Sequence, residues 1–181
     1  TDAVAGVSDE SCDHLNVLFN TEIGHTYLAG RQGIDQNVIG ELRHIGLSGI
    51  ANVIAAIKTA RYFDFTERDL IVTVATDGAG LYESEKNKTI ARDFTGCFDA
   101  VAAAETFARH LIGSVSDHYL EAGYRDRHRI FNLGYFTWVE QRGVDLEMFQ
   151  SRADQKFWKD VQEVLPVWDQ MIDDFNARTG V

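Results

Sequence analysis

The segment Asp69–Thr76, DLIVTVAT, constrains the fold more than any other stretch of the chain. Its near-continuous apolar, largely β-branched run suits a strand buried on both faces, the pattern of a parallel sheet covered by helices. It follows the helical stretch GLSGIANVIAAIKTARYF across the short loop DFTERD. In that helix Ile50, Val53, Ile54 and Ile57 recur at helical spacing and form one apolar stripe, with Lys58 and Arg61 off it. A helix followed by a buried strand is half of an α/β unit. The expected architecture is therefore α/β: a few parallel strands covered by helices in residues 1–90, followed by a mostly helical extension in residues 91–181. That extension packs on the core or on a partner chain.

Elsewhere the pattern predicts helix almost throughout. Ala3–Val7 (AVAGV) reads as a short strand ending at Ser8, which caps a helix through ESCDHLNVLFN. TEIGHTYLAG reads as a helix stopped at Gly30, and DQNVIGELRHIG as another, started by Asp35 and stopped at Gly46. Ser48 is placed to cap the next helix. FDAVAAAETFARHLIG is strongly amphipathic. Pro166 disfavours helix at Leu165, so a break is predicted there, with a fresh helix VWDQMIDDFNAR burying Trp168, Ile172 and Phe175.

Twenty-eight acidic against 17 basic residues give a formal net charge of -11. Nucleic acid and anionic membrane both need a basic face, so neither is expected as the main partner. The two cysteines, Cys12 and Cys97, lie far apart with no CxxC, which points to a reducing, cytoplasmic setting. No run is long enough to span a bilayer. The chain begins at Thr1 without an initiator Met, as a processed chain or a piece of a longer polypeptide would.

At the exit of the candidate strand, Thr76 and Asp77 offer a hydroxyl and a carboxylate, while Gly78 and Gly80 let a backbone approach closely. GLSG opens the preceding helix, where free amides favour a polar ligand group. Both glycine stretches also suit plain turns. DGAGLY lacks the third glycine of a dinucleotide fingerprint, and there is neither a P-loop nor a G-x-S-x-G elbow. Cys12 and His14 have no second ligand pair at useful spacing, so no metal site is expected. His25, His44, His110 and His118 read as surface or capping residues.

GLSGIANVIAAIKTARYF…DLIVTVATDGAGLYES resembles the C-terminal part of the fold-type-II pyridoxal-phosphate enzymes, the cysteine synthase, threonine synthase and tryptophan synthase β-subunit group. There the equivalent stretch runs through a G-I-S-S-G-A turn, an A-A-I-K helix, a valine-rich strand and a P-S-x-G-E-R-Y loop. TDAVAGVSDESC also resembles the strand and V-S-D-E-E-A helix start preceding it. The resemblance covers roughly the first ninety residues. It implies that Gly46, Ser48 and Gly49 border the ring of pyridoxal 5′-phosphate, and that Thr76, Asp77 and Gly78 face its pyridine nitrogen. The family carries a Ser or Thr where Asp77 stands. A carboxylate there protonates the nitrogen and strengthens the electron sink, which leaves the reaction subtype open. Tyr82 matches the tyrosine of the G-E-R-Y loop, with Gly80-Leu81 replacing its Glu-Arg.

The family's S-x-K-x-R lysine motif, asparagine loop and G-T-G-G-T phosphate cup have no counterpart here. Lys58 matches the ordinary exposed lysine of A-A-I-K, not a Schiff-base lysine. The resemblance thus implies the C-terminal subunit or fragment of a pyridoxal-phosphate-dependent lyase or transferase of amino-acid metabolism, inactive as this chain alone. It would perform β-elimination or β-replacement on a small amino acid. Its partner is an N-terminal half or second chain carrying lysine and phosphate cup, in a homo- or hetero-oligomer. The alternative is a non-catalytic binding or assembly subunit that keeps the lobe's shape. For it, the aromatics Phe131, Tyr135, Phe136, Trp138, Phe157, Trp158 and Trp168 form an interface.

Overall fold

Ser8 opens helix α1 (Asp9–Phe19) as its spacing predicts: its Oγ accepts the Ser11 amide at 3.1 Å, and Asp9 and Glu10 occupy the dipole-favoured first turn. In this computed structural model, which describes Thr1–Gly180, α1 is the element around which residues Ala3–Glu121 assemble. Its second half is buried on every side, with Leu15, Val17 and Leu18 fully enclosed and the polar His14 and Asn16 buried among them. Here α2 (Glu22–Gln32), α4 (Leu47–Tyr62), α5 (Glu83–Asp93) and α6 (Ala100–Phe107) enclose it. Each large aliphatic side chain so buried contributes about 1.5–3 kcal/mol.

Thr21 caps α2, which runs past Gly30 and stops at Gly33, where φ is +68°. The left-handed backbone that ends a helix is needed at Gly33; Gly30 is an ordinary helical residue. Asp35 caps α3 (Gln36–Glu41), which tightens into a 3₁₀ turn at Leu42–His44. Helix α4 buries Ile50 and Ile54. A second 3₁₀ turn, Ala79–Tyr82, leads into α5. Asp99 caps α6, which continues through Ala108–Ile112 as a π turn.

The sequence expectation of an α/β core with parallel strands is overturned. Among the described residues the only sheet has two short strands, β1 (Ala3–Ala5) and β2 (Tyr119–Glu121). They pair antiparallel, with Val4 opposite Leu120. Asp69–Thr76 is not a strand. It has no regular structure, and Leu70, Val72 and Val74 are 85%, 82% and 67% exposed. Its first residue, Asp69, bonds back to Thr66, and near its other end Asn52 Nδ2 donates to the Val74 carbonyl at 3.0 Å. β-Branched residues favour a strand only where a neighbouring strand supplies the ladder and the packing, and no such neighbour lies among the described residues.

A second compact unit joins Thr1–Asp2 to the residues from Ala122 onward. It contains α7 (Tyr124–Tyr135), continued by a π turn at Phe136–Gln141, then α8 (Leu146–Ser151), α9 (Gln155–Glu163) and α10 (Leu165–Thr179). Pro166 lies in the first turn of α10, where its missing N–H costs nothing. Phe149 is buried against Phe131 and Tyr135, and the Arg152 guanidinium lies 4.5 Å from its ring centroid. The predicted buried stripe of the last helix is instead in the open, with Trp168, Ile172 and Phe175 each more than half exposed. No helix among the described residues is long and apolar enough to cross a membrane.

Candidate functional site

The residues singled out at the two ends of GLSG…TDG, some 30 positions apart, come together in one corner of the first unit. The Gly46 amide donates to the Asp77 carbonyl at 2.8 Å, which fixes the start of α4 against the loop leaving Thr76. The Ser48 and Thr76 hydroxyls lie 2.6 Å apart, and both approach Asp77 Oδ1 at 3.4 Å. The Tyr82 hydroxyl donates to Asp77 Oδ2. That bond, followed by partial burial and the Asp77 charge, raises the Tyr82 phenol above its ordinary pKa. Asp77 is half-buried, whereas Ser48 and Thr76 are exposed.

Gly46 is required by close approach. A methyl there would overlap Asp77 Oδ1 and come within 2.8 Å of Tyr82 Cε2. Gly49 is buried one residue beyond Ser48, and Gly78 precedes the Ala79–Tyr82 turn. Ser48 does not cap α4 as its position predicts. Gly46 holds the cap position without a side-chain bond, and the Ser48 hydroxyl turns to Thr76 and Asp77 instead.

Lys58 also departs from expectation. It is 5% exposed, and its ammonium donates to the Gly6 carbonyl at 2.7 Å and pairs with Asp117 at 2.8 Å. The lysine pair lowers the Asp117 pKa. The buried stripe of α4 is thus wider than Ile50 and Ile54 alone, with the lysine stem completing it.

A second polar cluster went unread in the sequence. His14 on α1 and His110 on the π turn after α6 are both buried, with His14 Nδ1 3.1 Å from His110 Nε2. The outer nitrogens are held as well: His14 Nε2 by Asp93 Oδ2 at 3.0 Å, and His110 Nδ1 by the Ser11 hydroxyl at 2.9 Å. Arg92 clamps the same carboxylate, with its Nε 2.8 Å from Asp93 Oδ1. Arg92 and then His14 hold the Asp93 carboxyl down to about 2, against the cost of its burial. Burial first, then the His14 and Arg109 charges, push the His110 imidazole down to about 4. The His110 ring is therefore neutral, and one proton order satisfies the hydrogen bonds: Ser11 O–H to His110 Nδ1, His110 Nε2–H to His14 Nδ1, and His14 Nε2–H to Asp93. The available signal was Glu10-x-x-x-His14, an i,i+4 pair on one helix face. Its partner, 96 residues away, is supplied only by the fold.

Three comparisons with known proteins returned no match: no protein-family model, no curated protein and no solved structure.

Proposed function

We propose that the corner formed by Gly46, Ser48, Thr76, Asp77 and Tyr82 is one wall of a pyridoxal 5′-phosphate site, facing the ring nitrogen. The enzyme would perform β-elimination or β-replacement on a small amino acid, with the Schiff-base lysine and phosphate-binding loop supplied by another polypeptide segment. The observation that carries this reading is the convergence on Asp77. Its main chain is fastened to Gly46, and its carboxylate is held by Tyr82 on one oxygen and by Ser48 and Thr76 on the other. A carboxylate fixed in this way is a suitable acceptor for an aromatic N–H⁺.

Four of the five lysines are already engaged. Lys58 is tied to Gly6 and Asp117, Lys86 to Glu83 and the Asn20 carbonyl, Lys88 to Glu85, and Lys156 to Asp160. When bound, the cofactor would act as the sink for electrons released at the substrate's α-carbon. Asp77 would hold a proton at the ring nitrogen, Tyr82 would orient the carboxylate, and Ser48 and Thr76 would restrain its second oxygen. The exposed side chains of Leu70, Val72 and Val74 beside this corner offer an apolar surface for the lysine-bearing segment to cover.

Mixed with pyridoxal phosphate alone, the chain should give no Schiff-base absorbance; with a lysine-bearing companion it should. In that complex Asp77→Ala should shift the absorption spectrum and lower turnover on the order of 10²-fold, the scale of losing one aligned electrostatic group. A borohydride-reducible adduct on a lysine of this chain would refute the proposal, as would an unaltered spectrum and turnover in Asp77→Ala.

A second reading, a non-catalytic assembly subunit, is favoured by one observation. Trp168, Met171, Ile172 and Phe175 on α10 are more than half exposed, and aromatic and methionine side chains of this kind concentrate at interfaces. This reading expects Asp77→Ala to leave any activity of the complex intact, while Trp168→Ala weakens association.

A further inference from the structure

The His14–His110 pair has the inner and outer contacts of a metal centre. The two facing nitrogens are 3.1 Å apart. A divalent ion about 2.05 Å from each would subtend an angle of about 98°, between the octahedral and tetrahedral values. Glu10 is the third group, with a carboxylate oxygen within 4.8 Å of a ligand nitrogen on each ring. One of its oxygens, Oε1, pairs with Arg109 at 3.0 Å. Glu10 and His14 stand four residues apart on α1, so one helix face presents both. His110 arrives from the π turn that follows α6, a helical irregularity that recurs at functional sites.

The outer contacts match as well. A ligating imidazole characteristically gives its other N–H to a carboxylate or similar acceptor, which fixes ring and tautomer. Asp93 does this for His14, leaving Nδ1 as the unprotonated nitrogen, whose lone pair faces His110 Nε2. For His110 the proton has only to move from Nε2 to Nδ1, where the Ser11 hydroxyl can turn from donor to acceptor. The ion would replace the single proton between the rings without changing the charge of either imidazole. Beside Glu10, Ser11 and His110 lies a surface groove of about 530 Å³, which gives an ion an entry path and an open coordination position.

We propose that Glu10, His14 and His110 form a three-ligand site for a divalent transition-metal ion, Zn²⁺ fitting best, with Asp93 and Ser11 orienting the two imidazoles. Two imidazoles and one carboxylate suit a borderline ion of this class and disfavour Mg²⁺ or Ca²⁺, which take oxygen donors. The proposal is independent of the cofactor reading, because the two clusters share no residue.

The test uses tag-free, chelator-stripped protein titrated with Co²⁺ followed by its visible absorption, and with Zn²⁺ against a chromophoric chelator. The expected result is one equivalent of Co²⁺ with bands typical of four or five ligands, displaced by one equivalent of Zn²⁺. Affinity should fall about 10- to 100-fold in Asp93→Asn, the scale of an outer-partner loss, and further in His110→Gln. Because His14, His110 and Asp93 also support the fold, the decisive variant is exposed Glu10→Gln, with circular dichroism checking that it folds. Glu10→Gln should weaken Zn²⁺ at least about tenfold, while His118→Ala, an exposed histidine outside the cluster, should not. No stoichiometric binding by the parent protein would overturn the proposal. So would binding that Glu10→Gln leaves unchanged, or binding lost in His118→Ala.

Discussion

Replacing Gly46 by alanine tests whether the Asp77 corner is built on close approach. At φ −82° and ψ −174° the backbone there is ordinary for any L-residue, so a methyl introduces no backbone strain. The cost is purely steric. The methyl would sit 2.9 Å from Asp77 Cγ and 2.8 Å from Tyr82 Cε2, against an ordinary contact of 3.4 Å or more. Asp77 Cγ and Tyr82 Cε2 have to retreat by about 0.5–0.6 Å, and Asp77 Oδ1, which the methyl would overlap, by more. The Asp77 main chain cannot follow, because its carbonyl is held by the Gly46 amide. The side chain rotates instead and loses its partners.

Overpacking of this kind costs about 1–3 kcal/mol, offset by about 0.4–1 kcal/mol from the stiffer unfolded chain. A net destabilisation of about 1–2 kcal/mol is expected in urea unfolding. In an Asp77→Ala background most of the overlap is gone, so the same Gly46→Ala change should cost close to nothing, a coupling of about 1–2 kcal/mol. In Gly46→Ala alone the Tyr82 phenol, followed by NMR of labelled tyrosine, should titrate at lower pH than in the parent as its bond to Asp77 breaks. Equal destabilisation in both backgrounds would refute the reasoning, since the methyl would then be colliding with something other than Asp77.

Gly24→Ala should cost about 3 kcal/mol in urea unfolding, because its methyl would lie 2.7 Å from the Leu18 carbonyl carbon and main chain cannot yield as a side chain does. Gly40→Ala, inside α3 with nothing within 4 Å, should instead stabilise by about 0.5–1 kcal/mol. A thiol reagent at mildly alkaline pH should modify exposed Cys97 and spare Cys12 until the chain unfolds. Burial, then Asp9 and Asp13, push the Cys12 thiol up to about 11. His110 is held neutral in the fold, so its contribution is complete above its ordinary value of 6.5 and is lost as pH falls through about 4. The urea midpoint should drop across that window by the equivalent of about 1–2 kcal/mol after solvent screening, and His110→Gln should flatten the drop.

Local signals were legible where the deciding contact is itself local. Ser8 and Asp35 act within one turn of chain and cap as their positions predict; Pro166 starts a fresh helix, but the break falls at Val164 and Leu165 is already helical. Gly46, Ser48, Thr76 and Asp77 do meet, but not for the reason the sequence offered, a strand exit beside a helix start: no strand leads into Thr76. What failed depends on distant neighbours. The run from Leu70 to Val74 has strand composition, but composition does not supply a second strand. The Trp168 stripe has the period of a buried face and no element laid over it. Lys58 looked like a surface residue because its partners, Gly6 and Asp117, lie more than 50 positions away in either direction. His14 and His110 were each unremarkable alone, and only their meeting is informative.

The bare stretch from Leu70 to Val74 also bears on how the molecule behaves in concentrated solution. An exposed run of leucine, isoleucine, valine and threonine without a ladder is a template on which a second molecule can zip, the first step toward fibrous aggregates. The surplus of eleven negative charges keeps copies apart at neutral pH. Acidification neutralises that repulsion, so turbidity and thioflavin binding should rise together as carboxylates protonate, and Val72→Lys should suppress both.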